Sequence, residues 1–242
     1  MKAKDRIIVA LDYDSGAESL NLVKLLKGKV GFFKVGSQLF SAEGPSIIKK
    51  IIEMGERVFL DLKFHDIPNT AAKSAQVAQK MGVSMLTIHT SGGFRMMSAV
   101  MSALSFSKPG IKRPLVLGVT TLTSLETSDL QKLGIQDTLS NQVVRLGSLA
   151  IEAGLDGLVA APTEVSLIRR HFGSSLLVIT PGIRPSGSPL NDQYRVATAT
   201  ASIKAGSDHL VIGRPITASS NPVFALKKIL ATIQKTDEQT EL

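Results

Sequence analysis

The chain of 242 residues contains no cysteine, and aromatic residues make up only 5% of it. The absence of cysteine excludes disulfides, thiolate nucleophiles, cysteine-ligated zinc and iron–sulfur clusters, and it is compatible with a reducing cytosol. A binding platform for single-stranded nucleic acid needs aromatic side chains interleaved with a basic groove. The shortage of aromatic residues therefore argues against a nucleic-acid partner.

Long apolar segments are also missing. No apolar run approaches the ~18 residues of a membrane span, and the polar N-terminus leaves no room for the apolar core of a signal peptide. We therefore expect a soluble, cytoplasmic protein that has no membrane partner. The net charge is +8, but the basic residues come as scattered pairs such as Lys49-Lys50 and Arg169-Arg170. We interpret these residues as solvent-exposed surface charges, whose combined electric field attracts a small polyanion.

The pattern of apolar residues predicts one TIM barrel over residues 1–242, with a polar tail at 235–242 that we expect to be frayed. Short runs rich in Val, Ile, Leu and Phe alternate with longer amphipathic stretches, which is typical of βα units. The predicted strands are 6–12, 32–36, 57–63, 85–89, 115–121, 157–161, 176–180 and 209–213. Helical patterns cover residues 17–27, 44–54, 69–81, 141–153 and 196–205. Eight repeats without a break in composition favour a closed (β/α)8 barrel over a doubly wound sheet.

Charged residues cluster at the carboxyl ends of the first three predicted strands, where the active site of a TIM barrel lies. Asp12 ends the first strand, Lys34 lies on the second, and Asp61, Lys63 and Asp66 lie at or just beyond the end of the third. Because side chains alternate along a strand, Asp61 and Lys63 are predicted to share the interior face. A structural ion-pair network is the alternative. Burying so many charges costs several kcal/mol per ion, which favours a functional cluster.

The last two predicted strands are followed by the loops that commonly bind phosphate in this fold. These loops are residues 180–184 and 212–215. Gly213 allows a backbone N–H to approach an anion, Arg214 can form paired hydrogen bonds with phosphate oxygens, and a following helix would add its dipole. The alternative is an ordinary turn glycine beside a surface arginine. The position in the fold favours phosphate binding.

The segment 184–194 has little periodicity. We interpret it as a mobile lid over a ligand, although a passive surface loop would look similar. Within it, Arg184 and Gln193 are the residues that can donate hydrogen bonds to a phosphate.

Residues 61–70 read Asp-Leu-Lys-Phe-His-Asp-Ile-Pro-Asn-Thr, and this segment closely resembles the signature of orotidine 5'-phosphate decarboxylases of the bacterial type. The motifs that support the resemblance are residues 9–12, 34–36, 122–124, 180–184 and 211–215, so that it spans about residues 6–230. The resemblance implies a barrel lyase that removes CO2 from orotidine 5'-monophosphate (OMP) to give UMP, the last step of de novo pyrimidine nucleotide synthesis. It implies no metal and no organic cofactor.

The resemblance also implies roles for the matching residues. Lys63 would donate the proton, within a catalytic array of Lys34, Asp61, Lys63 and Asp66. In the family, the residues matching Asp66 and Thr70 reach the site of the neighbouring subunit, which implies a homodimer. The remaining substrate contacts would be Asp12 and Lys34 to ribose, Thr123 to the pyrimidine, and Arg184, Gln193, Gly213 and Arg214 to phosphate.

The expected chemistry explains why a lysine is used. Loss of CO2 from C6 of the pyrimidine leaves a carbanion in an in-plane orbital, where the π system of the ring cannot delocalise it directly. A fixed ammonium beside C6 stabilises this charge and then delivers the proton, so that one lysine serves both steps. Asp61 beside Lys63 would keep the lysine charged and correctly aimed.

Three alternatives stay open at this point. Thr120, Thr121 and Ser124 are close rivals of Thr123 for the pyrimidine contact. A second possibility is a barrel similar to 3-keto-gulonate 6-phosphate decarboxylase or hexulose-phosphate synthase, which share an Asp-x-Lys-x-x-Asp core but use Mg²⁺; these enzymes carry a glutamate where this chain has Lys34. A third is a non-catalytic barrel that binds a sugar phosphate or nucleotide, for which we would expect an incomplete charged array.

Overall fold

The strands of the protein form a closed parallel barrel. The computed structural model describes residues 1–105, 112–185 and 195–240, with side chains up to residue 236. The strands are β1 (Ile7–Ala10), β2 (Phe32–Gly36), β3 (Val58–Phe64), β4 (Met85–His89), β5 (Leu115–Val119), β6 (Gly157–Val159), β7 (Leu177–Thr180) and β8 (His209–Ile212). They pair in chain order, and β1 also pairs with β8, which closes the sheet. The predicted (β/α)8 TIM barrel is confirmed.

Helices surround this barrel. In the described ranges they are α1 (Gly16–Leu26), α2 (Ser37–Glu43), α3 (Pro45–Glu53), α4 (Pro68–Lys80), α5 (Gly93–Ser105), α6 (Thr127–Lys132), α7 (Leu139–Glu152), α8 (Val165–Phe172), α9 (Ala199–Ala205), α10 (Arg214–Thr217) and α11 (Pro222–Thr240). The helix predicted at 44–54 corresponds to α3, and Gly44, with φ of 63°, separates it from the additional helix α2. The helix predicted at 196–205 begins later, because the side chain of Thr198 caps α9 by accepting a hydrogen bond from the Ala201 N–H.

The predicted polar tail begins within α11, which continues to Thr240, and the fraying of this tail stays a prediction. Thr236 is only 2% exposed. Its hydroxyl donates to the carbonyl of Thr232 and lies 3.4 Å from the hydroxyl of Thr200 on α9. Thr236 therefore packs α11 against α9.

Strand side chains alternate between two apolar layers. Outward residues such as Val9 and Phe33 pack against the helices, while inward residues such as Ile8 fill the barrel. Burying a side chain of this size stabilises the fold by roughly 1.5–3 kcal/mol. Along the inward face of the first three strands, the apolar residues are followed by charged ones: Ile8 by Asp12, Phe32 by Lys34, and Phe59 by Asp61. The barrel is therefore apolar at its centre and charged at its carboxyl end.

Across the described ranges, no helix is both long enough and apolar enough to cross a bilayer.

Candidate active site

A cavity of about 490 Å³ opens at the carboxyl ends of the strands. Its volume falls within the ~300–1,000 Å³ that is usual for small-molecule sites. The predicted site residues that line it are Asp12, Lys34, Asp61, Lys63, Thr123, Arg184, Gly213 and Arg214. Asp66 and Thr70 do not line it, and Gln193 lies outside the described residues, as does most of the predicted lid.

One wall of the cavity carries a continuous chain of ion pairs. Lys34 Nζ lies 3.0 Å from Asp12 Oδ1 and 3.8 Å from Asp61 Oδ2. Lys63 Nζ lies 3.0 Å from Asp61 Oδ1. The side chains of Lys34 and Asp61 are only 11% and 13% exposed, whereas that of Lys63 is 32% exposed. Lys63 is therefore the cation of this wall that is most open to a ligand.

Among the described residues, the chain of ion pairs consists of Asp12, Lys34, Asp61 and Lys63, and the predicted fourth member, Asp66, takes no part in it. Asp66 is exposed, and its Oδ1 accepts a hydrogen bond from the backbone N–H of Ile67 at 2.6 Å. Thr70 is also exposed, and Ile67 between them is 67% exposed. The beginning of α4 thus presents exposed polar and apolar side chains that do not line the cavity.

The third strand is irregular where it carries the charged residues. Its regular pairing with β4 stops after Leu60 and resumes at Phe64, so residues 61–63 face a single residue of β4, Thr87. Within this bulge Lys63 adopts a left-handed backbone conformation, with φ of 52°. Such a conformation costs about 1–3 kcal/mol in a residue other than glycine, and it is commonly found at functional sites. Bulges of this kind redirect side chains next to active sites.

The opposite wall is formed by the loops that follow β7 and β8. Arg184 is 8% exposed and donates a hydrogen bond to the carbonyl of Ile183 at 3.0 Å, whereas Arg214 is exposed. A Cβ added to Gly213 would lie at ordinary van der Waals distance, 3.6 Å, from Asp12 Oδ2, so this glycine lies directly beside the charged residues. The helix after Gly213 is α10, which has only four residues. The expected contribution of a helix dipole is therefore small, because few peptide dipoles are aligned.

The structure separates the four candidates for the pyrimidine contact. Thr121 and Thr123 line the cavity, whereas Thr120 and Ser124 do not. The hydroxyl of Thr120 donates to the carbonyl of Val159 at 3.3 Å. Thr121 is 5% exposed, and its hydroxyl has no hydrogen-bond partner among the described residues. Thr121 therefore stands beside Thr123 as a candidate.

Sequence reasoning missed Arg195, which connects two loops of the barrel mouth. Its guanidinium forms an ion pair with Glu164, a residue that is 3% exposed. It also donates to the carbonyls of Leu122, at 2.7 Å, and Thr123, at 3.4 Å. Burial lowers the pKa of Arg195. No local pattern in the sequence identifies these contacts, because they join segments that are far apart in the chain.

Two histidines lie beside the charged wall. The rings of His65 and His89 are 5.3 Å apart. Burial lowers the pKa of His89, the charges of His65 and Lys63 lower it further, and Asp61 opposes the shift. The lowered pKa favours the neutral form of the His89 ring. No group of three or more His, Asp or Glu side chains in the described residues is placed to share a metal ion.

The barrel and its cavity define the class of the protein: a TIM-barrel enzyme that acts on a small, anionic substrate. A chain of ammonium and carboxylate groups faces loops containing glycine and arginine across a pocket at the carboxyl ends of the strands. This is the place where TIM-barrel enzymes hold a small substrate, and the two arginines favour an anionic one.

The chain belongs to the orotidine 5'-phosphate decarboxylase / HUMPS family, whose family model matches residues 5–229. The family resemblance inferred from the motifs is thus confirmed. The chain is 47% identical over 229 residues to the orotidine 5'-phosphate decarboxylase of Pseudoalteromonas translucida, covering 95% of this chain and 97% of the relative. It is 48% identical over 232 residues to the orotidine 5'-phosphate decarboxylase of Syntrophotalea carbinolica, covering 95% of each.

Solved structures show the same similarity. The crystal structure of orotidine 5'-phosphate decarboxylase from Lactobacillus acidophilus superimposes with a TM-score of 0.82 at 36% identity, covering 93% of this chain and 97% of that one. The similarity therefore extends from the motifs to the fold of nearly the whole chain.

Proposed function

We propose that the protein decarboxylates OMP to UMP, the last step of de novo pyrimidine nucleotide synthesis, and that it does so without a cofactor. The observation that carries this proposal is the placement of Lys63. Its backbone is held in a bulge, and its ammonium lies 3.0 Å from Asp61 at the edge of the cavity. The family membership and the names of the relatives support the same reaction.

In the proposed mechanism Lys63 acts on C6 of the pyrimidine. Release of CO2 leaves an electron pair on C6, and the fixed ammonium stabilises it electrostatically before giving up its proton. The contact with Asp61 restricts the positions of the Lys63 ammonium. The second carboxylate oxygen of Asp61 faces Lys34, which supports a shared role for these three residues.

The other wall would hold the phosphate. Arg184 and Arg214 line the cavity together with Gly213, and we assign them, with Gln193, to the phosphate oxygens. Asp12 and Lys34 would bind the ribose hydroxyls, and Thr123 the pyrimidine. Since phosphate lies far from C6, its binding energy can assemble the charged site, so that a substrate without phosphate loses rate as well as affinity.

A homodimer completes the proposed site. We propose that Asp66 and Thr70 reach the active site of the neighbouring subunit. Both are exposed and absent from their own cavity, and the 67% exposed side chain of Ile67 supplies apolar surface that an interface would bury. The cytoplasmic location predicted from the sequence stays a prediction.

The position of Lys34 argues against a Mg²⁺-dependent sugar-phosphate reaction. Its ammonium lies 3.0 Å from Asp12 and 3.8 Å from Asp61, so a positive group already lies beside the carboxylates that could supply oxygen ligands to Mg²⁺. The proposal therefore predicts that dialysis against EDTA leaves the rate of OMP decarboxylation unchanged, and a loss that Mg²⁺ restores would contradict it.

The direct test follows the absorbance of OMP after the enzyme is added. We expect turnover by the wild type, none detectable for Lys63→Ala, and full activity for Lys49→Ala, a control on the surface of α3 whose partner is Glu53. Binding of UMP by a wild-type protein that leaves OMP unchanged would instead identify a binding protein without catalytic activity.

A further inference from the structure

Thr87 is a fully buried polar residue next to the charged wall, with a relative exposure of 0%. It lies on the inward face of β4 between Met85 and His89, and it does not line the cavity. Its hydroxyl therefore has no direct access to a substrate. A buried hydroxyl in this place needs partners, because an unpaired one loses the hydrogen bonds that it makes with water.

The partners of this hydroxyl are the two residues on which the proposed chemistry depends. Thr87 Oγ1 accepts a hydrogen bond from the backbone N–H of Lys63 at 2.9 Å. It also donates to Asp61 Oδ1 at 3.0 Å. A hydroxyl has a single proton, so accepting from Lys63 leaves that proton for Asp61. The hydroxyl of Thr87 can therefore make both hydrogen bonds at the same time, one as acceptor and one as donor.

These two hydrogen bonds explain the backbone conformation of Lys63 and the orientation of the Asp61 carboxylate. The N–H of Lys63 lies within the bulge, where regular pairing with β4 is interrupted. Thr87 provides that N–H with an acceptor and so supports the left-handed conformation of Lys63, with φ of 52°. The proton from Thr87 reaches the same oxygen of Asp61 that contacts Lys63 Nζ, while the other oxygen faces Lys34. The orientation of the carboxylate is thereby determined.

We infer that Thr87 is a positioning residue for Lys63 and Asp61. Its hydroxyl holds the backbone of the lysine and the carboxylate of the aspartate at once, so that the ammonium is directed into the cavity. The kinetic part of this inference rests on the proposed decarboxylation, whereas the structural part does not. No bond is made or broken at Thr87.

The test compares Thr87→Val, which keeps the shape but removes the hydroxyl, with Thr87→Ser, which keeps the hydroxyl. Thr87→Ala is measured alongside, because it lacks the hydroxyl without introducing a new methyl group. Hydrogen bonds to charged groups are strong enough that we expect kcat for OMP to fall about 10- to 100-fold in the Val and Ala variants. The dissociation constant of UMP should change less than about threefold, and the Ser variant should recover most of kcat.

Thr90→Val is the matched control. Thr90 is also fully buried beside β4, and its hydroxyl donates to the carbonyl of Val119 rather than to a site residue. We expect this variant to lower the melting temperature about as much as Thr87→Val does while kcat is kept. Equal loss of kcat in the Thr87→Val and Thr90→Val variants, or equal loss in Thr87→Val and Thr87→Ser, would mean that Thr87 acts through packing alone and would overturn the inference.

A crystal structure of Thr87→Val or Thr87→Ala separates this inference from the proposed function. We expect Lys63 to leave the left-handed conformation, or its ammonium to move away from Asp61. Coordinates in which Lys63 and Asp61 keep their wild-type arrangement would refute the positioning role, whatever reaction the protein catalyses. A wild-type protein without activity on OMP would refute the proposed function alone.

Discussion

Asp61→Asn removes one charge from the centre of the ion-pair chain and preserves the shape of the side chain. Asp61 contacts Lys63 at 3.0 Å and Lys34 at 3.8 Å. Coulomb's law places the attraction between unit charges 3.0 Å apart at about 1.4 kcal/mol in bulk water and about 5.5 kcal/mol at an effective dielectric constant of about 20. Because Lys63 is 32% exposed and Asp61 13% exposed, an intermediate value of about 3 kcal/mol is appropriate.

If this attraction aims Lys63 in the transition state, its loss lowers kcat about 100-fold. Steady-state decarboxylation of OMP measures kcat, and calorimetric titration with UMP measures affinity. We expect the affinity for UMP to be kept or increased, since the variant has one negative charge fewer beside an anionic ligand. Asp137→Asn is the control, because Asp137 forms a comparable pair with Arg145 outside the cavity, at 2.6 Å. An Asp61→Asn enzyme with wild-type kcat would refute the reasoning.

Three further predictions concern other parts of the structure. Arg184→Ala and Arg214→Ala should each raise KM for OMP about 10- to 100-fold, since a charged hydrogen bond contributes about 1.5–3 kcal/mol; an equal effect on orotidine, which lacks the phosphate, would contradict a phosphate contact. Gly36→Ala should lower kcat/KM about tenfold, because the new Cβ would lie 2.9 Å from Lys34 Nζ and displace this ammonium; a crystal structure with Lys34 unmoved would argue against this explanation. Burial lowers the pKa of His209, so the unfolded chain binds more protons and stability falls as the pH drops below about 6.5. His209→Gln should flatten the dependence of Tm on pH between about 7 and 5, and identical slopes in both proteins would count against this cause.

Much of the barrel could be predicted because its strands are defined locally. All eight predicted strands are present, although β1 ends at Ala10 and β5 at Val119, before the predicted ends. Asp61 and Lys63 both line the cavity, as predicted, but they do so within the bulge of β3, where regular alternation is interrupted. Helix ends were less predictable, since they depend on capping contacts such as that of Thr198 in α9.

Contacts between distant segments could not be predicted in the same way. The alternation along β4 would have identified Thr87 as an inward polar residue, but its contact with Lys63, 24 positions away, depends on the bulge in β3. Likewise, Asp12 rather than Asp66 completes the ion-pair chain, because the parallel pairing of β1 with β2 places Asp12 beside Lys34.

By itself, the sequence determined the kind of fold, the family and the residue types at the barrel mouth, because hydrophobic periodicity and motif spacing are properties of neighbouring residues. Only the tertiary structure decided which of these residues touch. The left-handed conformation of Lys63 and the shared hydroxyl of Thr87 exist because two strands pair out of register at one place. Register is set by the packing of the whole sheet and not by any single segment of the chain.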